Sequence, residues 1–491
     1  MIENPQAIWH LDNSYAHLSD CFYTKTAPTP VTKPKLKRLN HELAKRLGLD
    51  VGSLAHPDGI EILAGNRLPH NSIPIAQAYA GHQYKTFRDL GDGRAILLGE
   101  QLTPDGKRFD IHLKGAGMTP YSKKVYKNGD GRAALGPMLR EYILSAAMEA
   151  LGIPTSHSLA VVATGETMIR KGEELPGAIL VRVASSHIRF GTLQYAAKWC
   201  GEAKLREIVD YTIARHFPEV AAAERPYLAF FEKVIERQAS LIANWQLIGF
   251  IHGVQNTDNV MISGETLDYG PCAFMDTYKP LTWFSSIDRH GRYAYVNQPS
   301  IGRWNIERLK ESLMPLFAED EATQERLADE AVATFDVQYE QYWLQGMRKK
   351  LGMYNEEAED RELIDALLMM MERQEADYTN TFLDLTFGEQ VSGLSKDKHF
   401  ESWYTCWQQR LSRQQASTSD IKQLMKASNP AVVPRNHQVE QSLEAAVAYD
   451  DYTVMEELMD VWKEPFAHTD KQRAYRHVPK QDTPYITYCG T

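Results

Sequence analysis

The sequence predicts an α+β fold in two lobes, a small β-rich lobe followed by a large helical one, and three observations predict it. Between residues 94 and 184 the apolar residues fall in short runs bounded by turn chemistry, the mark of strands. After about residue 191 the runs lengthen and take the spacing of amphipathic helices. Composition adds the third: 491 residues with 43% hydrophobic and 24% charged content make an ordinary packed protein, long enough for about two to four domains or lobes.

In order along the chain, residues 1–70 hold the Pro-rich stretch TAPTPVTKP and one short amphipathic helix, HELAKRLGL, and read as an N-terminal extension wrapping a lobe. The basic run KPKLKR at 33–38 reads as a solvated face before that helix. Residues 71–190 form the β-rich lobe. RAILLGEQL and RFDIHLK are strands joined by TPDGK, whose Asp-Gly chemistry makes a hairpin. LGPMLREYILSAAMEALGI (135–153) has helical spacing and stops before Pro154, and SLAVVAT and AILVRVA are further strands. Residues 191–470 are helical, from YAAKWCGEAKLREIVDYTIARHF through FFEKVIERQASLIANWQLIGF to RELIDALLMMMERQEADYTNTFLDL, where the run Met369–Met371 fills core. Residues 471–491 are a C-terminal tail that carries Cys489. A small β lobe with one helix, then a large helical lobe, is the order of a protein kinase.

Charge and cysteine usage narrow the function. Lys and Arg total 54 against 64 for Asp and Glu, a net charge of −10, which argues against broad attraction to nucleic acid. The N-terminal stretch MIENPQAIWHLDNSY has no signal-like pattern, and no apolar run approaches about 18 residues, so a cytoplasmic protein without a membrane partner is expected. Five cysteines, at 21, 200, 272, 406 and 489, contain no Cys-x-x-Cys pair, which points to reduced thiols rather than a zinc site or disulfide scaffold.

The chemistry concentrates in HGVQNTDNVMISGETLDYG, residues 252–270. Kinase-type phosphotransferases carry His-Arg-Asp or His-Gly-Asp, then Asn five residues after the Asp, then a metal-holding Asp-Phe-Gly or a relative of it. His252 and Gly253 fit, Asn259 falls at the fifth place, and Asp268-Tyr269-Gly270 fits the metal turn, but Val254 stands where the catalytic Asp belongs. A branched alkyl group can neither accept a proton nor orient a hydroxyl, so this is either an inactive kinase or a protein with different chemistry. Asn259 and Asp268 offer hard oxygen ligands suited to Mg²⁺ or Mn²⁺ on nucleotide phosphates. Asp258 is the only carboxylate between His252 and Glu265; if a base is needed, it is Asp258. His252 reads as a hydrogen-bonded loop support.

Upstream, Gly91-Asp92-Gly93-Arg94 precedes a strand and suits either a plain turn or the approach of a phosphate to backbone N–H groups. Lys114 ends RFDIHLK where a kinase places its phosphate-holding lysine, with Glu141 in the next helix as its natural partner. The Gly-rich, basic stretch KGAGMTPYSKKVYKNGDGRAALG, ending on Asp130 and Gly131, reads as a second phosphate loop or a surface loop. Arg182 interrupts the apolar strand AILVRVA, where a guanidinium needs an anion, and Arg189 seven residues on could converge on the same one. That anion is a carboxylate of the chain or a bound phosphate.

AGHQ (80–83), LGDGRAILLGE (90–100), LKGAGMTPYS (113–122), DGRA (130–133), RVASSHIRFG (182–191), HGVQNTDN (252–259), DYGPCAFMD (268–276) and NQPSIGRWN (297–305) recur together in one order. With them the chain resembles the selenoprotein O family, a kinase-fold family known for protein adenylylation. The resemblance implies a nucleotide bound in the inverted sense, its α-phosphate toward the acceptor hydroxyl, so that AMP passes from ATP to Ser, Thr or Tyr of a protein. It implies Asp258 as proton acceptor, Asn259 and Asp268 as ligands of Mg²⁺ or Mn²⁺, and Lys114, Arg182 and Arg189 as phosphate grips. Gly91, Gly93, Arg94, Asp130 and Gly131 complete the implied nucleotide contacts. UMP transfer from UTP and a catalytically silent scaffold are the alternatives. The family's reactive residue near the C-terminus corresponds to Cys489, and a reversible disulfide to Cys272, two residues past the metal turn, would tie the tail to the active-site loop.

Overall fold

The computed structural model describes residues 8–83, 86–122, 129–170, 172–389, 393–394, 396–479 and 485–488. It is α+β, built on a nine-stranded antiparallel sheet. The strands are β1 (Leu11–Asp12), β2 (Tyr23–Lys25), β3 (Lys35–Leu39), β4 (Ile75–Gln77), β7 (Ala95–Leu102), β8 (Arg108–Lys114), β9 (Ala133–Ala134), β10 (His157–Arg170) and β11 (Glu173–Ala184); β5 (Ala80–Gln83) and β6 (Thr86–Asp89) form a separate hairpin. The main path runs β2-β4-β7-β8-β11-β10-β3, with β1 added on β7 and β9 on β11.

Alternation along β8 and β11 decides what each sheet face does. Ile111 and Leu113 of β8 and Ile179, Val181 and Val183 of β11 point into one apolar core, which α1 (His41–Arg46), α2 (Val51–Ala55) and α3 (Pro57–Leu63) cover through Leu43, Leu54 and Ile62. The residues between them, His112, Lys114 and Arg182, therefore share the opposite face, and the register sets Arg182 across from His112 and Leu180 across from Lys114. That face meets α4 (Leu135–Ala150), which presents Glu141 toward it and ends on Gly152 at φ 75°, with Pro154 beyond.

The N-terminal segment is more than a wrapping: three of its stretches are strands of the main sheet and its helices close one face of it. KPKLKR supplies the first four residues of β3, an edge strand on β10 whose side chains are exposed or half-buried. Lys35 and Lys37 pair with Asp450, and Arg38 with Glu456, so the basic strand clamps helices that lie more than four hundred residues away.

The remainder is helical. After α5 (Phe190–Tyr195) and α6 (Glu202–His216), the long α7 (Pro226–Leu247) packs on α8 (Gln298–Leu313) and α9 (Glu321–Lys350). Of the methionine run, Met370 and Met371 are buried in a second core, whereas Met369 is exposed. A short ribbon, β12 (Phe250–Ile251) on β13 (Ala273–Phe274), closes the base of the loop 252–272 and fixes both of its ends. Among the described residues, no helix is long and apolar enough to cross a membrane.

Candidate active site

Between the polar sheet face, α4 and the 252–272 loop lies a cavity of about 280 Å³. At its inner end three cations converge on two carboxylates. Lys114 Nζ donates to Glu141 at 2.6 Å and to Asp268 at 2.5 Å. Arg182 Nη1 reaches Asp268 at 3.0 Å and Glu141 at 3.3 Å, and Arg189 Nη1 lies 3.7 Å from Asp268. Burial opposes ionisation of Asp268, but Lys114, Arg182 and Arg189 hold its pKa well below the usual carboxylate range.

Arg182 is itself held from behind. Its Nη2 donates to His112 Nδ1 at 3.0 Å, and His112 Nε2 lies 3.1 Å from Asp92. Burial lowers the pKa of His112; as a neutral ring it accepts from Arg182 and donates to Asp92. Asp92 also accepts the Gln77 backbone N–H at 3.1 Å and lies 3.7 Å from Arg189. Arg189 stacks 4.4 Å over the Tyr79 ring and donates to the Asp258 carbonyl at 2.7 Å, so one guanidinium links the cationic inner end to the loop.

The loop explains Val254. Its side chain is part of the cavity wall, and its carbonyl accepts from Asn259 Nδ2 at 2.9 Å, which leaves Asn259 Oδ1 as the acceptor available to the cavity. Gly253 has φ 80°, and a Cβ there would lie 2.6 Å from the Pro271 carbonyl, so the turn requires glycine. Burial lowers the pKa of His252, whose Nε2 bonds the Leu267 carbonyl at 2.8 Å as a support within the loop.

Asp258 is buried at the cavity edge. Oδ2 accepts from Gln83 Nε2 at 3.3 Å, while Oδ1 has no hydrogen-bond partner among the described residues. Burial pushes its pKa up to about 6. The β5–β6 hairpin lies directly over it: His82 N–H donates to Thr257 at 2.8 Å, and Gly81 leaves the space that the Asp258 carboxylate fills. A buried carboxylate oxygen left unpaired beside a cavity is an open proton acceptor.

Of the residues that the sequence singled out, Gly93, Arg94, Lys114, Arg182, Arg189, Asp258, Asn259 and Asp268 line this one cavity. Gly91 does not; its φ of 120° makes room for the Tyr121 ring. Asp130 and Gly131 also lie off the lining: Asp130 holds Arg170 at 2.7 Å, and Gly131 packs against Gly117, accepting its N–H at 3.0 Å. The stretch 123–128 before them lies outside the described residues. Tyr79, Gln83, Asp92 and His112 were missed as site residues. A signal existed for two of them: His112 shares a strand face with Lys114, and Gln83 belongs to the AGHQ motif.

Among the described residues no group of three or more His, Cys, Asp or Glu side chains is arranged to hold a metal alone. Asn259 and Asp268 nevertheless fit Mg²⁺ or Mn²⁺, since such ions use one or two protein oxygens and complete their shell with phosphates and water. The tail also reaches this loop. Thr487 Oγ1 donates to the Pro271 carbonyl at 2.7 Å, next to Cys272, whose thiol donates to the Tyr269 carbonyl and whose pKa burial raises to about 12. Cys489 lies outside the described residues.

A buried cationic cluster, an Asn/Asp pair and an open carboxylate at one cavity are chemically suited to a nucleotide-handling class of protein. The comparisons agree with that class. Residues 7–463 match the model of the family described as protein adenylyltransferase SelO. Protein nucleotidyltransferase YdiU of Bacillus cytotoxicus is 58% identical over 485 residues, covering 98% of both chains. The proteins of that name in Halalkalibacterium halodurans and Alkaliphilus metalliredigens are 57% and 56% identical, over 100% and 98% of each chain. The chain belongs to the SelO family.

Proposed function

We propose that this chain is a metal-dependent nucleotidyltransferase with a two-lobed, kinase-like architecture that moves AMP from ATP to Ser, Thr or Tyr hydroxyls of proteins. One observation carries the reading: the site has no acid at Val254, yet holds at Asp258, at the cavity edge, a buried carboxylate oxygen with no partner among the described residues. An inverted nucleotide would send its β- and γ-phosphates inward to Lys114, Arg182 and Arg189, which now share Asp268 and Glu141. Its α-phosphate would then face outward, toward Asp258. Asn259 and Asp268 would hold Mg²⁺ or Mn²⁺, which supplies charge neutralisation on the phosphates. Asp258 takes the proton of the acceptor hydroxyl as its oxygen attacks the α-phosphorus and pyrophosphate leaves. His112 and Asp92 keep Arg182 aimed at the phosphates, and Gly93 and Arg94 lie at the lining beside them.

The test is intact mass spectrometry of the enzyme and an acceptor protein after incubation with ATP or UTP. Added AMP supports the reading, added UMP moves it to uridylylation, and added phosphate or no addition overturns it.

A further inference from the structure

A second cavity, of about 580 Å³, opens beside the first, and Ile287 lines both. It lies along the segment that follows the metal turn, with Arg289, His290, Arg292, Asn297 and Ile301 in its wall. Asp288 is the groove's own carboxylate, and the chain uses it internally: its oxygens accept the backbone N–H groups of His290, Arg292 and Tyr293 at 3.3, 3.0 and 2.8 Å. Arg289 and His290 are exposed and make no ion pair among the described residues. The Arg292 guanidinium likewise makes no ion pair among the described residues; it stacks 4.8 Å over Trp304 and hydrogen-bonds the Tyr293 hydroxyl. Two guanidinium groups against the one carboxylate of Asp288 leave this groove a local net positive charge in a chain of net charge −10.

The groove is continuous with the reacting end of the site. The Tyr293 hydroxyl donates to Asn256 Oδ1, and Asn256 and Asp258 line the first cavity together. The same segment exposes the large apolar side chains Leu281, Trp283, Ile287 and Val296.

We infer that the groove along residues 287–301 docks an extended acidic segment of the acceptor protein, its carboxylates against Arg289, His290 and Arg292 and its hydroxyl delivered past Ile287 to Asp258. Charge complementarity and continuity with the site favour this occupant. The inference rests on the transferase reading for the identity of the acceptor, but its binding step is measurable without transfer.

The experiment measures fluorescence anisotropy of two labelled peptides without hydroxyl side chains, one Asp/Glu-rich and one with Lys at the same positions, on the full chain and on its Arg289→Glu/His290→Glu variant. Neither residue lines the nucleotide cavity, so ATP binding measured alongside reports that the variant is folded. The expected result is at least about tenfold tighter binding of the acidic peptide, lost in the variant and weakened by salt. Equal binding of the two peptides, or an acidic preference that survives the charge reversal, overturns the groove. A hydroxyl-bearing acidic peptide then tests the other claim separately: binding without nucleotidyl transfer leaves the groove standing and removes the transferase reading.

Discussion

Replacing Gly81 with alanine puts one methyl group into the space that Asp258 occupies. An ideal Cβ at 81 would lie 2.3 Å from Asp258 Oδ1, 2.7 Å from Cγ and 2.8 Å from Cβ. Ordinary contact needs about 3.4 Å, so the carboxylate or the β5–β6 hairpin must move by about 1 Å. Gly81 has an ordinary backbone conformation, so the strain is steric and falls first on Asp258, which supplies the three nearest atoms. A displacement of about 1 Å at a reacting group costs on the order of 10²-fold in rate, and overpacking costs about 1–3 kcal/mol of stability. The assay is steady-state transfer from ATP with nucleotide affinity measured alongside. Gly81→Ala is expected to lower kcat on the order of 10²-fold while ATP affinity stays within about twofold, because the cations at the inner end are untouched. Wild-type kcat in Gly81→Ala would refute the placement of Asp258 at the reacting centre.

Asp258→Asn should keep nucleotide binding and lose about 10²- to 10⁴-fold in transfer rate, with no rescue by Val254→Asp; single-turnover kinetics on both variants checks this. Asp268→Ala should abolish transfer in a protein that remains folded by circular dichroism, with Asn259→Ala less severe, as the proposed metal-holding role requires; each change removes a polar loop side chain rather than core volume. Lys350→Met should stabilise the protein at pH 6.5 by about 2–4 kcal/mol, since Lys350 is buried over Phe382 and Tyr378, and burial lowers its pKa from 10.5 to about 7. Between pH 7 and 10.5 the unfolded state binds the extra proton, so wild-type stability rises with pH through that window and urea titrations should show the gap to Lys350→Met closing. Peptide mapping of peroxide-treated protein without reductant should yield a linked Cys272–Cys489 peptide, with two thiols oxidised and peroxide reduced to water; its absence removes the redox tether.

Much of the site was legible because its residues obey local rules. Lys114 at a strand end, Glu141 in the next helix and Asn259 and Asp268 at their spacing are one-dimensional signals, and the structure gathers them around one cavity. Arg182 was legible as a charge in an apolar strand, which needs an anion; the sequence could not name Asp268 and Glu141, because no local spacing relates them to Arg182. The ion pairs of the basic run at 33–38 were illegible for a related reason: its partners Asp450 and Glu456 meet it only in the folded chain. Asp92 looked like a turn residue, and His112 like an ordinary strand residue, until the sheet register set His112 between Asp92 and Arg182. Asp130 and Gly131 rested on motif order alone, and the structure sets them beside Arg170 and Gly117 rather than in the cavity wall.

The most direct test of the account is transfer from ATP labelled separately at the α- and γ-phosphorus, run on the wild-type chain and on Asp258→Asn with one acceptor protein. The account predicts label on protein from the α-position alone, and its loss to the level of about 1% or less in Asp258→Asn. Label from the γ-position, or α-label undiminished by Asp258→Asn, would contradict it.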